Sequence, residues 1–313
     1  MVLVSRGDHR TALGGVMIGL PFTKMQAVGN DFVVIEEAVW GATTDWTQTA
    51  IRLCDRHKGV GGDGLLVVCP STVADVRMRM FNPDGTEDMC GNGLRCVVRF
   101  ASERGYLPNG VVETLSGVRA VWITDANSEA QEIHTEMGVP LFRPAELPAC
   151  VNGENVFNYD LTIDGYKPIP VSTVNTGSTH TVIWVKELPG DELFFDLSPK
   201  IEHHPLFPER TSVLWAQYSV ARHLWDIRIG ERGVGETLGC GTGACAVAVL
   251  AARQQKNNVV SASVPNSYHA KIKSKGGTLK VAYTYGHTAV PYESMILAGT
   301  AHTVYSGIVQ PAG

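Results

Sequence analysis

The chain of 313 residues has no basic excess: 26 Lys and Arg stand against 31 Asp and Glu, a formal charge of −5. A binder of phosphate backbones needs the opposite balance, so nucleic acid is not an expected partner. Cysteine is sparse, seven in all, and no C-x-x-C pair occurs. That excludes a disulfide scaffold, a zinc knuckle and a thioredoxin-like centre. The adjacent His203 and His204 and the other scattered histidines lack metal-ligand spacing, so no metal is expected. Long apolar runs are missing as well. No stretch reaches membrane-spanning length without polar interruption, and the start, Met1 to Val16, carries Arg6, Asp8, His9 and Arg10 rather than an apolar signal-peptide core. A cytoplasmic protein with reduced thiols and no membrane partner is the expectation. With 44% hydrophobic and 18% charged residues, the chain can bury a large core.

A chain of this length suggests two domains. Residues 1–20 read as an N-terminal extension. From Pro21 a short strand, a turn at Gly29-Asn30-Asp31 and the apolar strand Phe32 to Ile35 follow, then a helix over Thr44 to His57. Six residues, Gly59-Val60-Gly61-Gly62-Asp63-Gly64, break the chain before a strand over Leu65 to Cys69. This cluster has neither the lysine nor the hydroxyl residue of a nucleotide phosphate loop, and it reads as a turn or a support for a substrate loop. The stretch Asp75 to Phe81 alternates as a half-buried strand does, with Val76, Met78 and Met80 on one face, and ends in the turn Asn82-Pro83-Asp84-Gly85. The region 186–210 reads as loop and short-helix material. The division is expected near 131–140: a first domain of 21–135 rejoined by about 295–310, and a second of 136–294.

Two segments repeat one form. Cys90-Gly91-Asn92-Gly93 opens an apolar helix, and so does Cys240-Gly241-Thr242-Gly243, 150 residues later. Two similar domains that each point a helix N-terminus into a shared cleft would produce this pattern. A glycine loop running into a helix converges backbone N–H groups on an anion, and a carboxylate suits that nest as well as a phosphate does. A cysteine at its mouth is expected to have its thiol pKa lowered below about 8.5. Facing thiols could then take a proton from one side of a carbon next to the bound carboxylate and return one from the other, with no cofactor. The competing reading is that the glycines cap helices and the cysteines fill small gaps. For Cys54, Cys69, Cys96, Cys150 and Cys245 the gap-filling reading is the expected one.

At these residues the sequence resembles the diaminopimelate epimerases, over roughly Pro21 to Ile308. The motifs are Phe22 to Phe32, Arg56-His57 with the glycine cluster through Gly64, Asn82 to Gly85, Cys90 to Gly93, Glu231-Arg232-Gly233-Val234-Gly235-Glu236-Thr237, and Cys240 to Gly243. The resemblance implies an α/β (α+β) fold of two pseudo-symmetric domains, each a barrel-like sheet around a central helix. It implies an epimerase free of metal and pyridoxal, usually a homodimer, with Cys90 and Cys240 as the acid and base. By the same resemblance, Asn30, Asn82, Gly91, Asn92, Ser178, Ser212, Glu231, Arg232, Gly241 and Thr242 fall on substrate-binding positions. Arg232 would grip a distal carboxylate. His180 and Gly64 lie on family positions that are as readily structural as functional.

Two positions depart from the family. Gly177-Ser178-Thr179-His180 stands where Gly-Asn-Pro-His is usual, and Ser212 stands where an asparagine usually follows Thr211. Both expected asparagines serve the distal end of the substrate, and serine is shorter and lacks the paired donor and acceptor of an amide. The chemistry is thus expected to be epimerisation of LL-diaminopimelate to the meso form. Racemisation of another amino acid by the same mechanism is the alternative, and a non-catalytic amino-acid-binding protein the remote one.

Overall fold

In a computed structural model of the chain, residues 19–105, 109–124, 131–151, 153–258, 267–285 and 293–310 are described. The N-terminal extension lies outside them as far as residue 18. One pattern occurs twice. In the first half β1 (Leu20–Ala27) and β2 (Asn30–Glu36) form an antiparallel hairpin. Two helices, α1 (Glu37–Trp40) and α2 (Trp46–Cys54), cross over to β3 (Gly64–Cys69), which lies parallel to β2. β4 (Val76–Phe81) and the two-residue β5 (Glu87–Asp88) add antiparallel. Helix α3 (Gly91–Glu103) then leads to β6 (Asn109–Thr114), parallel to β4, and to the antiparallel β7 (Gly117–Thr124) and β8 (Glu132–Gly138).

The second half repeats each step. β9 (Tyr159–Leu161) flanks β10 (Ile169–Asn175), which pairs antiparallel with β11 (Thr179–Trp184). Helix α4 (Asp191–Glu202) crosses to β12 (Ser212–Ser219), parallel to β11. β13 (Leu224–Glu231) and β14 (Gly235–Thr237) follow antiparallel, then α5 (Gly241–Asn258). β15 (Ser267–Ser274) is parallel to β13, and β16 (Gly277–Thr284) and β17 (Ser294–Gly299) complete the unit. The last strand, β18 (His302–Val309), returns to β1 as β9 does to β10. β8 and β17, equivalent in the two halves, pair antiparallel and join them.

Each half closes its sheet around one helix that is largely buried, although α3 also carries Arg95, Arg99 and Glu103. Every residue from Gly243 to Ala252 of α5 is buried, against Leu214, Ile229, Val281 and Leu297. Leu94, Val97, Val98 and Phe100 of α3 pack with Phe32, Leu66, Met78 and Ile133. At the seam, Met137, Met295 and Leu297 face α5, whereas Ile133 and Ala301 face α3. Among the described residues no helix is long and apolar enough to cross a membrane.

Region 186–210, expected to hold loops and short helices, contains the 12-residue α4. Its first turn carries Asp191 and Glu192, its last turn Lys200, and Phe194, Leu197 and Ile201 are buried at helical spacing. Pro199 lies inside this helix, where a proline ordinarily signals a break; the sheet surface beneath α4 holds the turn in place. The helix expected over residues 44–57 is shorter, starting after the N-cap Asp45, whose carboxylate accepts the Gln48 N–H at 3.1 Å.

Candidate active site

Both cysteine loops sit where a strand gives way to the central helix. Cys90 is the N-cap residue of α3, and Cys240 immediately precedes α5. The Cys90 thiol donates to Asn30 Oδ1 at 3.6 Å, and backbone N–H groups of Gly93 and Asn92 point at its sulfur. The Cys240 thiol donates to Glu231 Oε1 at 3.6 Å, while its sulfur accepts the Gly243 N–H at 3.3 Å and lies 3.3 Å from Thr242 Oγ1. The two helix starts meet. Asn92 Nδ2 donates to Asn30 Oδ1 and, across the loops, to the Gly239 carbonyl, both at 3.2 Å. A Cβ on Gly241 would lie 2.9 Å from Leu297 Cδ2, so a larger residue there would have to displace the end of that side chain on β17. Gly91 is less confined; the nearest atom to a Cβ there would be Met137 Cε at 3.7 Å.

The expected depression of the thiol pKa values does not occur. Burial pushes the Cys90 thiol up, and the helix-end N–H groups and Arg95 offset this only in part; Glu231 adds to the rise. Burial also pushes Cys240 up, again reinforced by Glu231, and Thr242 and the Gly243 N–H do not compensate. Desolvation of a thiolate costs more in this enclosed cleft than one helix terminus returns. Glu231 has its own carboxyl raised by burial. Both cysteines therefore rest as thiols at neutral pH. Iodoacetamide should alkylate them slowly at pH 7 and about tenfold faster per pH unit above it, because the thiolate is the reacting form. Mass-spectrometric rates on the Cys90 and Cys240 peptides check this; a rate independent of pH between 7 and 9 would contradict it.

Asn30 is held by a charged cluster that sequence patterning did not single out. Its Nδ2 donates to Asp63 Oδ2 at 2.7 Å, and Arg56 bridges Asp63 and Asp31, each at 2.7 Å. Lys24 pairs with Asp31 at 2.5 Å and donates to the Gly61 carbonyl. Burial pushes the Asp31 carboxyl up, but Arg56 and Lys24 together hold it well below the usual range. The glycine cluster thus folds around an ion-paired support for Asn30. Gly64 opens β3, and a Cβ there would meet Met80 Cε at 2.8 Å and the Phe81 carbonyl at 3.0 Å, a packing requirement. Asn82 closes its own turn, donating from Nδ2 to Thr86 Oγ1 at 3.0 Å.

The remaining predicted residues form a second patch beside Cys240. His180 and Ser212 are register partners on β11 and β12. Ser178 Oγ lies 3.1 Å from His180 Nε2, and Ser212 Oγ accepts the Arg232 N–H at 3.1 Å. The Thr176 hydroxyl donates to the Thr242 carbonyl at 2.8 Å, tying this loop to the start of α5. Arg232 is exposed, donates from Nη1 to the Glu209 carbonyl at 3.2 Å, and makes no ion pair among the described residues. A free cation of this kind can receive a carboxylate.

His180 is wholly buried, its Nδ1 has no partner among the described residues, and burial, aided by Arg232, lowers its pKa to about 3. The folded protein keeps this ring neutral while the unfolded chain protonates it near pH 6.5, so stability is lost as pH falls from 6.5 towards 3. Between pH 7 and 5 the loss from this one residue should be about 2 kcal/mol. Urea unfolding of the wild type and His180→Gln at both pH values measures it; equal losses in the two proteins would rule the assignment out.

Comparison with known proteins shows the family. A family model described as diaminopimelate epimerase matches residues 22–142 and 172–293. The chain belongs to the diaminopimelate epimerase family. Among curated family members, the diaminopimelate epimerase of Caldanaerobacter subterraneus is 42% identical over 233 residues, covering 73% of this chain and 82% of that protein. That of Acetivibrio thermocellus is 37% identical over 299 residues, covering 92% and 98%. Among solved structures, a Bacillus anthracis phenazine biosynthesis protein of the PhzF family superposes with a TM-score of 0.66 at 20% identity, over 94% of this chain and all of that one, and shares the fold. As a member of the diaminopimelate epimerase family the chain is a pyridoxal-independent isomerase, an amino-acid epimerase or racemase related to lysine biosynthesis. The binding-only alternative falls away.

Proposed function

We propose that this enzyme interconverts LL- and meso-diaminopimelate by a two-thiol proton transfer. The arrangement that carries the reading is the pair of thiols at two helix N-termini joined by Asn92, one beside Asn30 and one beside Glu231. The substrate α-carboxylate binds between the helix ends, where first-turn N–H groups and both dipoles favour negative charge. One cysteine, as thiolate, takes the α-proton: the C–H bond breaks and an S–H bond forms. The carbanion, stabilised by the same N–H groups, takes a proton from the other thiol on the opposite face, which leaves the protonation of the pair reversed. The substrate ammonium group brings a positive charge beside sulfurs that the unliganded site keeps neutral. Arg232, which among the described residues has no carboxylate partner, receives the second carboxyl group, which makes a diacid the best-matched substrate.

The test is exchange in deuterated water without added cofactor. LL-diaminopimelate should yield meso product fully deuterated at the inverted carbon while substrate recovered early remains largely protiated. Equal labelling of recovered substrate would contradict two separate acids, and no conversion would reject the substrate.

A second reading, racemisation of another amino acid, is favoured by Ser178 and Ser212. Their hydroxyls already serve His180 and the Arg232 N–H, which leaves no amide for the distal end. If diaminopimelate is the substrate, Ser178→Asn with Ser212→Asn should change kcat/KM for it by less than about tenfold. A larger gain would favour the second reading.

A further inference from the structure

Arg95 heads the largest fully buried side chains among the described residues, and the proton transfer above does not use it. It lies on the second turn of α3, facing α5. Its Nη2 donates to Asn92 Oδ1 at 2.6 Å and its Nη1 to the Gly91 carbonyl at 3.3 Å, while Nε has no partner among the described residues. Among the described residues it forms no ion pair; the titratable groups acting on it are the thiols of Cys90, Cys96 and Cys245. A buried cation without a carboxylate is costly, and a leucine or methionine would fill the same space in a helix core more favourably.

The position of the guanidinium accounts for its presence. Its grip on Asn92 Oδ1 leaves the Asn92 amide N–H groups one orientation, towards Asn30 Oδ1 and the Gly239 carbonyl. Asn30 Oδ1 is the acceptor of the Cys90 thiol, and Gly239 is the residue before Cys240. A Cβ on Gly241 would lie 3.8 Å from Arg95 Nη1, and one on Gly299 of β17 would lie 3.4 Å from Nε. The side chain therefore reaches the seam of the two halves. We propose that Arg95 is a positioning residue that acts through Asn92 to hold both cysteine loops in register and the two thiols on opposite sides of the substrate carbon. This inference rests on the two-thiol reading.

The experiment uses the full chain with Arg95→Met, Arg95→Lys, Asn92→Ala and the double variant Arg95→Met/Asn92→Ala. It measures kcat and KM on LL-diaminopimelate, the pH profile of Cys90 alkylation by iodoacetamide, and thermal unfolding. Arg95→Met should lower kcat about 100-fold with KM within about threefold, the effect of misplacing reacting groups by about an ångström. Arg95→Lys should fall between, since it keeps the charge and loses the planar fork. The double variant should be no worse than Asn92→Ala alone, because the two residues act in series. The Cys90 alkylation midpoint should move to higher pH in Arg95→Met; the groups facing that thiol, Glu231 and Cys240, and those facing Arg95, Cys96 and Cys245, are unchanged by the substitution.

Wild-type kcat in Arg95→Met, multiplicative losses in the double variant, or a lowered unfolding temperature with kcat intact would overturn the proposal. If Arg95→Met does not fold, a wild-type kcat and alkylation profile in Arg95→Lys would overturn it equally. Failure of the two-thiol reading shows separately, as turnover in both Cys90→Ala and Cys240→Ala, and the alkylation profiles do not depend on it.

Discussion

Cys90→Ala and Cys240→Ala should each lower net inversion by about a thousandfold or more, within the range lost when a positioned acid or base is removed. The residual chemistry should be one-sided. With one thiol gone, the other still faces its side of the substrate carbon and can exchange the α-proton of the stereoisomer whose C–H bond points at it. In deuterated water each variant should therefore label one isomer without inverting it, and the two variants should label opposite isomers. Neither change should unfold the protein, since each removes one sulfur from the rim of a core otherwise made by Leu94, Val97 and Phe100 or by Val247 and Leu250. NMR of the α-position with chiral separation of the products decides the matter. Appreciable inversion in both variants would dismiss the mechanism, and labelling of the same isomer by both would place the two thiols on one face.

Arg232→Met should raise KM for diaminopimelate by about 30- to 1000-fold, with a smaller effect on kcat, because it removes a charge-assisted contact to the part of the substrate that does not react. Among the described residues no carboxylate of the protein competes for this guanidinium, so its whole attraction is available to a ligand. Arg232→Lys should recover part of the loss, as a point charge without a planar fork. An amino acid with a single carboxyl group should be handled alike by wild type and Arg232→Met. Unchanged KM for diaminopimelate in Arg232→Met would remove the distal clamp and favour the second reading, in which the serines at 178 and 212 shape the pocket for a different side chain.

Much of this site was visible in the chain because its parts are local. A glycine loop running into an apolar helix is a contiguous pattern, and its occurrence at Cys90 and again at Cys240 signals a duplicated unit with a thiol in each half. The alternation of Val76, Met78 and Met80 likewise reports a half-buried strand. Less local features escaped. The region 186–210 read as loop and short helices, whereas α4 is a continuous helix packed on the sheet beneath it. The support of Asn30 by Asp63, Arg56, Asp31 and Lys24 brings together residues up to 39 apart, with no spacing rule to connect them. Arg95 reads in the sequence as one more helical arginine, and only its burial against α5 shows it to be a cation with no counterion among the described residues.

The direction of the thiol pKa shifts is the sharpest divide between the two kinds of information. From sequence, a cysteine at a helix N-terminus is expected to ionise easily, since the helix end and its N–H groups are encoded beside it. The cost of desolvation is not local: it arises from the burial of both thiols in the folded protein, where β13 seats Glu231 next to Cys240. The sequence by itself determined the family, the two thiols, the helix ends behind them and the serines that set this chain apart. Only the tertiary structure decided that the thiols rest protonated, that Asn92 bridges both loops, and that Arg232, beside a neutral His180, forms no ion pair among the described residues, because burial and long-range electrostatics belong to the assembled fold and to no segment of the chain.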